Sequence, residues 1–194
     1  MKKIFIIFIL LFVGQLIYGQ ENLGFKLGLN VCNVNNSTGN DFTTLPNFNT
    51  GAVAKFKLHD KFMLTSEVLF SIKGFYSMLI PSGSTSTSLS YLSLPILLEY
   101  QPSKKIYFQI GPEFNFLLNA RMKNKSFDAS VIDNYKKFDL AIVGGLGFKL
   151  FKGLNIETRY SLGLSQIRQN ETIFGAYKTR TFQINLVYLL KLKK

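Results

Sequence analysis

The stretch Ile106–Arg121, IYFQIGPEFNFLLNAR, alternates apolar and polar residues and sets a carboxylate, Glu113, midway along the run. Phe108, Ile110, Pro112, Phe114, Phe116, Leu118 and Ala120 fall on one face. Gln109, Gly111, Glu113, Asn115, Asn119 and Arg121 fall on the other, interrupted by Leu117. Period two with unlike faces is the pattern of a β-strand. In a water-soluble sheet the apolar face turns inward; in a barrel that crosses a bilayer it turns outward to lipid. The rest of the chain decides between them.

Seven further segments repeat the pattern, and together the eight run Leu23–Val31, Gly51–Leu58, Phe62–Tyr76, Ser88–Tyr100, Ile106–Arg121, Lys136–Leu150, Leu154–Ser165 and Arg180–Leu190. Most reach the ~9–11 residues that a tilted strand needs to cross a bilayer. Three connections are tight: His59–Lys61, Gln101–Lys105 and Phe151–Gly153. The other four, Asn33–Asn49, Ser77–Thr87, Met122–Tyr135 and Gln166–Thr179, are long, and the two kinds alternate strictly. Short turns at one end and long extracellular loops at the other describe an outer-membrane barrel, and an even strand count puts both termini on the short-turn side. A soluble sandwich has no reason to sort its connections this way.

The polar faces carry acids in five segments, Glu67, Glu99, Glu113, Asp139 and Glu157, and bases at matching depths, Lys26, Lys55, Lys73, Lys149 and Arg159. An Arg or Lys facing lipid near the midplane would cost ~2–4 kcal/mol, so these residues are expected to point into the barrel. There they would form a lattice of ion pairs and hydrogen bonds, because intramembrane charges pair with one another. Tyr100, Tyr107, Phe148, Phe151, Phe62 and Tyr188 stand beside the short turns or the C-terminus and are expected as an aromatic girdle at one interface. The soluble alternative is a lipocalin-like carrier with the apolar faces inside around an apolar ligand; parity alone does not separate the two, because a sheet's faces are related by sign.

The first residues, MKKIFIIFILLFVGQLIYGQ, have a basic start, an uncharged apolar run and a small residue at Gly19. That is the layout of a secretory signal peptide. Residues 1–19 are expected to be cleaved, leaving 20–194 as one barrel domain. The single cysteine, Cys32, excludes an internal disulfide and a cysteine-rich metal site. The chain carries 23 basic and 11 acidic residues, but the bases are dispersed along the strands and around the turns. Nucleic-acid recognition calls for bases gathered on one face with interleaved aromatics, so no nucleic acid is expected as partner.

Several phrases together, YLSLPILLEY at 91–100, IYFQIGPEFNFLLNAR at 106–121, FDLAIVGGLGFKL at 138–150 and IETRYSLGLSQI at 156–167, resemble the PorT-like family of outer-membrane β-barrel proteins. FKLGLN at 25–30 and SEVLFSIKGF at 66–75 fit the same family's opening strand and its Lys-Gly strand. The resemblance implies one eight-stranded barrel in the outer membrane of a Gram-negative bacterium. It implies little about activity, although the PorT-type members are tied to protein secretion. The chain departs from common barrel practice at its end, running on from Tyr188 to LLKLKK where an aromatic residue would close it.

Catalysis finds little support in the residues. A Ser-His-acid hydrolase needs a histidine to shuttle the proton, and the sole histidine, His59, sits in a tight turn on the inner side. One His and one Cys supply no metal cluster. Glu113 with Glu67 or Glu157 forms a conceivable carboxylate pair for glycoside cleavage, but paired lumen charges explain the same residues. GGLG at 144–147 lacks the helix that phosphate cradling requires, and its small residues suit a crowded interior. The expectation is an all-β protein: an eight-stranded antiparallel up-and-down transmembrane β-barrel, monomeric, with a polar filled interior. It is read as non-enzymatic and without cofactor or metal. Its contacts would be outer-membrane lipid and whatever the four long loops touch in a structural, adhesive or surface-interaction role. The alternative from the resemblance is an accessory barrel of a secretion complex.

Overall fold

The computed structural model describes residues 22–35, 43–79, 83–124, 127–169 and 178–191. The expected leader, residues 1–19, lies outside them. Nine strands follow one another: β1 (Asn22–Asn35), β2 (Thr43–His59), β3 (Phe62–Leu79), β4 (Gly83–Tyr100), β5 (Ile106–Lys123), the short β6 (Asp128–Ser130), β7 (Phe138–Phe151), β8 (Leu154–Gly163) and β9 (Lys178–Lys191). A 3-10 turn, Ile132–Asn134, lies between β6 and β7.

Eight strands make the barrel. Each pairs antiparallel with its neighbours in the order β4, β3, β2, β1, β9, β8, β7, β5, and β4 pairs with β5 to close the ring. β6 is an appendage on the end of β5, with Ser130 opposite Arg121. The first and last strands meet in one seam, where β1 runs against β9 from Asn22↔Lys191 to Asn35↔Lys178. Closure pairs each of the eight barrel strands on both sides, which removes the exposed edges of an open sheet.

The expected tight turns are present. β2 and β3 are joined through Asp60 and Lys61, and β7 and β8 through Lys152 and Gly153. Lys152 and Gly153 both have positive φ, 39° and 88°. That backbone matches the twist of a two-residue hairpin, which is why a glycine stands at the second position.

The faces fall as a membrane barrel requires. Glu113 is 2% exposed and Ile110 is 58% exposed, and Phe25, Leu27, Leu29, Phe108, Ile142, Ile184 and Leu186 also face out. Lys26, Lys55, Glu67, Glu99, Glu157 and Arg159 are buried inside. This overturns the soluble lipocalin-like alternative, which needs the apolar faces around a ligand and the charges in water.

Three expectations need correction. Much of what reads as long loop is strand: β1 continues to Asn35, β2 begins at Thr43, and only residues 80–82 separate β3 from β4. The sequence STSTS in β4 lacks an apolar face because it lies above the lipid belt, where Thr85 and Thr87 are buried in the barrel mouth and the half-buried Ser86 and Ser88 need no apolar character. Eighteen-residue strands such as β3, β4 and β5, at ~3.3 Å per residue, overreach a ~30 Å hydrocarbon core even when tilted.

The second correction is on β5. The register against β4 slips between Ser90↔Asn119 and Tyr91↔Leu117, leaving Leu118 as an extra residue. Such a bulge reverses the parity of the residues beyond it. Leu117, before the slip, keeps the inward parity of Asn115, while beyond it Ala120 is buried and Asn119 and Arg121, expected inside, are exposed. The third is Tyr107, which does not join the girdle. It shares parity with Gln109 and is wholly buried in the lumen, while Phe62, Tyr100, Phe148, Phe151 and Tyr188 are exposed at that end.

Candidate functional site

The barrel interior holds two chemically distinct zones. Strand alternation delivers one inward side chain every second residue from each of eight strands, so groups far apart in sequence meet at one depth.

In the lower zone, Arg159 on β8 reaches across to β3 and engages Glu67 with both terminal nitrogens, at 2.9 and 2.7 Å. Its Nη2 is also 2.8 Å from Glu157 Oε2. Lys26 on β1 donates to the same two acids, to Glu67 at 2.6 Å and to Glu157 at 2.8 Å. Two bases and two acids thus form a closed quartet. The Tyr107 hydroxyl donates to Glu157 at 2.8 Å. Gln109 links the quartet to the next pair, accepting from Arg159 Nε at 3.0 Å and donating to Glu99 at 3.0 Å. Glu99 takes Lys55 at 2.6 Å, and that ammonium also sits 4.3 Å from the centre of the Tyr107 ring. Below, Gln101 donates to Glu99 and accepts from Lys149, each at 2.6 Å.

Higher up, Lys73 on β3 donates to Glu113 on β5 at 2.8 Å, and Asn115 and Ser161 donate to the same carboxylate oxygen. Asp139 is the cross-strand neighbour of Asn115 and accepts from the Thr179 hydroxyl at 3.4 Å. Of the sequence-predicted residues, Lys26, Glu67, Glu99, Lys149, Glu157 and Arg159 therefore share one connected network, Lys73 and Glu113 form a separate pair, and Asp139 stands apart from both.

Neutral connectors were missed by a reading that sought charges. Gln109, Gln101 and Tyr107 join the ion pairs into one network, and their inward parity was the available signal. The glycines of GGLG have a spatial role. A Cβ on Gly147 would collide with the Tyr107 ring, and one on Gly145 would lie 2.8 Å from Arg159 Cγ. Both positions must be empty for the large lumen groups to fit.

Above the charges the lumen turns apolar. Phe75, Leu89, Tyr91, Leu117 and Ala120 from the strands pack with Tyr135 and Ile167 from the connections, and Val131 and Ile132 lean on the cluster. The connection ends are tied by a bridge between Tyr135 and Arg168 and by backbone bonds from Val131 N to Ala120 O (2.9 Å) and Lys136 N to Ile167 O (2.7 Å). This plug covers the charged zone from the long-loop side.

Chemically, the three glutamates that could form a carboxylate pair are already engaged. Glu113, Glu67 and Glu157 each accept from buried bases, so these three do not face one another across a substrate-sized gap as glycoside cleavage requires.

The outer rim is uneven. Among the described residues, the upper parts of β1 to β4 carry no outward charge. On the side formed by β5 to β9, Arg121, Lys123, Lys137, Lys178 and Arg180 are all exposed. Two exposed acids share that side, Asp128 at 3.5 Å from Arg121 and Asp133 in the 3-10 turn.

Comparison with known proteins agrees with this geometry. Residues 18–169 match the outer membrane protein beta-barrel domain. The chain belongs to that family. Its place is therefore the outer membrane. No curated protein matches its sequence significantly. Among solved structures, the barrel is similar to Neisserial surface protein A, with a TM-score of 0.57 and 8% identity over 88% of this chain and 97% of that one. It is similar also to Ail, the attachment invasion locus protein of Yersinia pestis, with a TM-score of 0.53 and 13% identity over 88% and 99%. Ail has also been solved in complex with the heparin analogue sucrose octasulfate; that structure gives a TM-score of 0.54 at 14% identity. At these identities the likeness is one of fold.

Proposed function

We propose that this outer-membrane barrel is non-enzymatic and acts at its long-loop end, binding anionic surface polymers through the basic half of its rim. The observation that carries the reading is the exposed set Arg121, Lys123, Lys137, Lys178 and Arg180 on one side of a barrel whose other side has no outward charge among the described residues. Like charges gathered over one face raise the local concentration of an opposite polymer and speed its capture. The charge-filled, plugged lumen argues against a diffusion channel, since an eight-stranded interior is just wide enough for side chains to fill. Cleavage of residues 1–19, a monomeric state and a purely structural role for the lumen lattice belong to the same reading. The binding of a heparin analogue by Ail, of the same fold, is consistent with it.

The test is retention on immobilised sulfated polysaccharide. The folded barrel is expected to bind at low salt and to elute as salt rises, because exposed charges are screened beyond ~8–10 Å at physiological ionic strength. Replacing the five bases by glutamine should lower markedly the salt concentration at which the barrel elutes. Unchanged retention defeats the proposal, and co-purification with a stable protein complex in mild detergent would move the assignment to a PorT-like secretion accessory.

A further inference from the structure

The opposite end of the barrel carries a second basic feature. A cavity of about 430 Å³ opens at the short-turn rim, lined by Asn22, Lys104, Lys105, Lys149–Asn155 and Leu189. Its volume falls in the ~300–1,000 Å³ range of small-molecule sites. Four lysines, Lys104, Lys105, Lys149 and Lys152, contribute to the wall, and no acid does among the described residues. The lumen acids are engaged elsewhere: Glu99 takes Lys55, and Lys149 donates to the neutral Gln101. The positive charge of the cavity is thus uncompensated by the wall itself.

Beside the lysines the wall holds the polar Asn22 and Asn155 and the apolar Leu150, Phe151, Leu154 and Leu189. Leu150 is 51% and Phe151 67% exposed on the outer surface of β7, beside the exposed aromatic Phe148. The Lys152–Gly153 turn is fastened over the rim by Leu189 N donating to Gly153 O at 2.9 Å and by Asn155 Nδ2 donating to the same oxygen at 3.1 Å. One opening therefore joins four lysines to apolar side chains at the level of the exposed aromatics of that end.

We propose that this cavity binds a phosphate group, with the headgroup of an anionic phospholipid of the inner leaflet as its source. Lys104, Lys105 and Lys152 supply the charge; Leu150 and Phe151 lie where an acyl chain descends. Short turns of outer-membrane barrels face the periplasm, which sets the cavity against that leaflet. Clustered lysines at an interface attract anionic lipid strongly enough that each is worth about a fivefold change in affinity.

The experiment uses the folded full-length barrel in nanodiscs of phosphatidylglycerol and phosphatidylcholine. Native mass spectrometry counts retained lipid, and a parallel arm in phosphatidylcholine alone measures inorganic phosphate by equilibrium dialysis. The triple variant Lys104→Gln/Lys105→Gln/Lys152→Gln is expected to lose about a hundredfold in phosphatidylglycerol affinity. Lys149 is left in place because it belongs to the lumen network. The control Lys57→Gln/Lys61→Gln removes two bases from the neighbouring turn at the same end, away from the cavity, and is expected to retain the lipid. Lysine-dependent retention of phosphatidylglycerol assigns the lipid source, and lysine-dependent uptake of inorganic phosphate alone assigns free phosphate to the same site. Equal loss in the triple variant and the control, or no loss in either, overturns the proposal. The gel shift between unheated and boiled samples verifies that every variant is folded.

Discussion

The two zones of the lumen solve the same packing problem with opposite chemistry. In the lower zone, Arg159, Lys26, Glu67 and Glu157 fill the space with charge that is paired on every side. In the upper zone, Tyr91, Leu89, Leu117 and Ile167 fill it with apolar side chains. The lower zone is bounded by eight strands that cannot move apart, so fixed partners can satisfy long charged groups. The upper zone is bounded partly by connections, and apolar contact, which is non-directional, tolerates a less regular wall. A buried ion pair depends on its complement, whereas an apolar cluster loses its members by degrees.

That difference sets the order of the expected effects. Arg159→Met should be the most damaging, since it leaves Glu67 and Glu157 to share Lys26; removing one partner from buried charges costs ~3–5 kcal/mol. The reading is the urea midpoint of the barrel refolded in lipid vesicles, and a wild-type midpoint would break the contrast between the zones. Leu117→Ala in the plug should cost less, about 2–3 kcal/mol, in keeping with large-to-small changes in cores. It should also increase proteolysis near Val131–Tyr135 before global unfolding; protection equal to wild type would mean that the cluster does not hold that connection down. Arg121→Ala should stay within ~0.5 kcal/mol of wild type, as exposed substitutions do. A loss several times larger would put Arg121 back inside and deny the bulge at Leu118.

The barrel itself was legible because strand period, turn spacing and the depth of charged residues all agree along IYFQIGPEFNF, LNIETRYSLGLS and their neighbours. The lumen pairs followed from one rule, that charges avoid lipid. Partner choice did not follow from it, because Arg159 and Glu67 are 92 residues apart and only the register of the closed ring brings them together. Leu117 looked like a flaw in a polar face and proves to belong to the plug, which no local pattern announces. The bulge at Leu118 was invisible because two adjacent leucines are compatible with either parity. Strand lengths were underestimated at the upper end, where STSTS gives no contrast between a face toward water and a face toward a polar mouth.

The seam between β1 and β9 bears on how the molecule comes into being. Asn22 stands opposite Lys191, so the ring is completed by the first and last strands of the barrel. Until β9 is in place, the growing sheet has two raw edges of unpaired backbone groups, the feature by which strands recruit one another indiscriminately. The quartet is unfinished at that stage too, since Lys26 sits on β1 while Glu157 and Arg159 sit on β8. Contacts of such long range make for slow folding. Ring closure and completion of the quartet therefore depend on the same meeting of β1 with β8 and β9, and a chain without it would be unpaired at its margins and electrostatically unbalanced within.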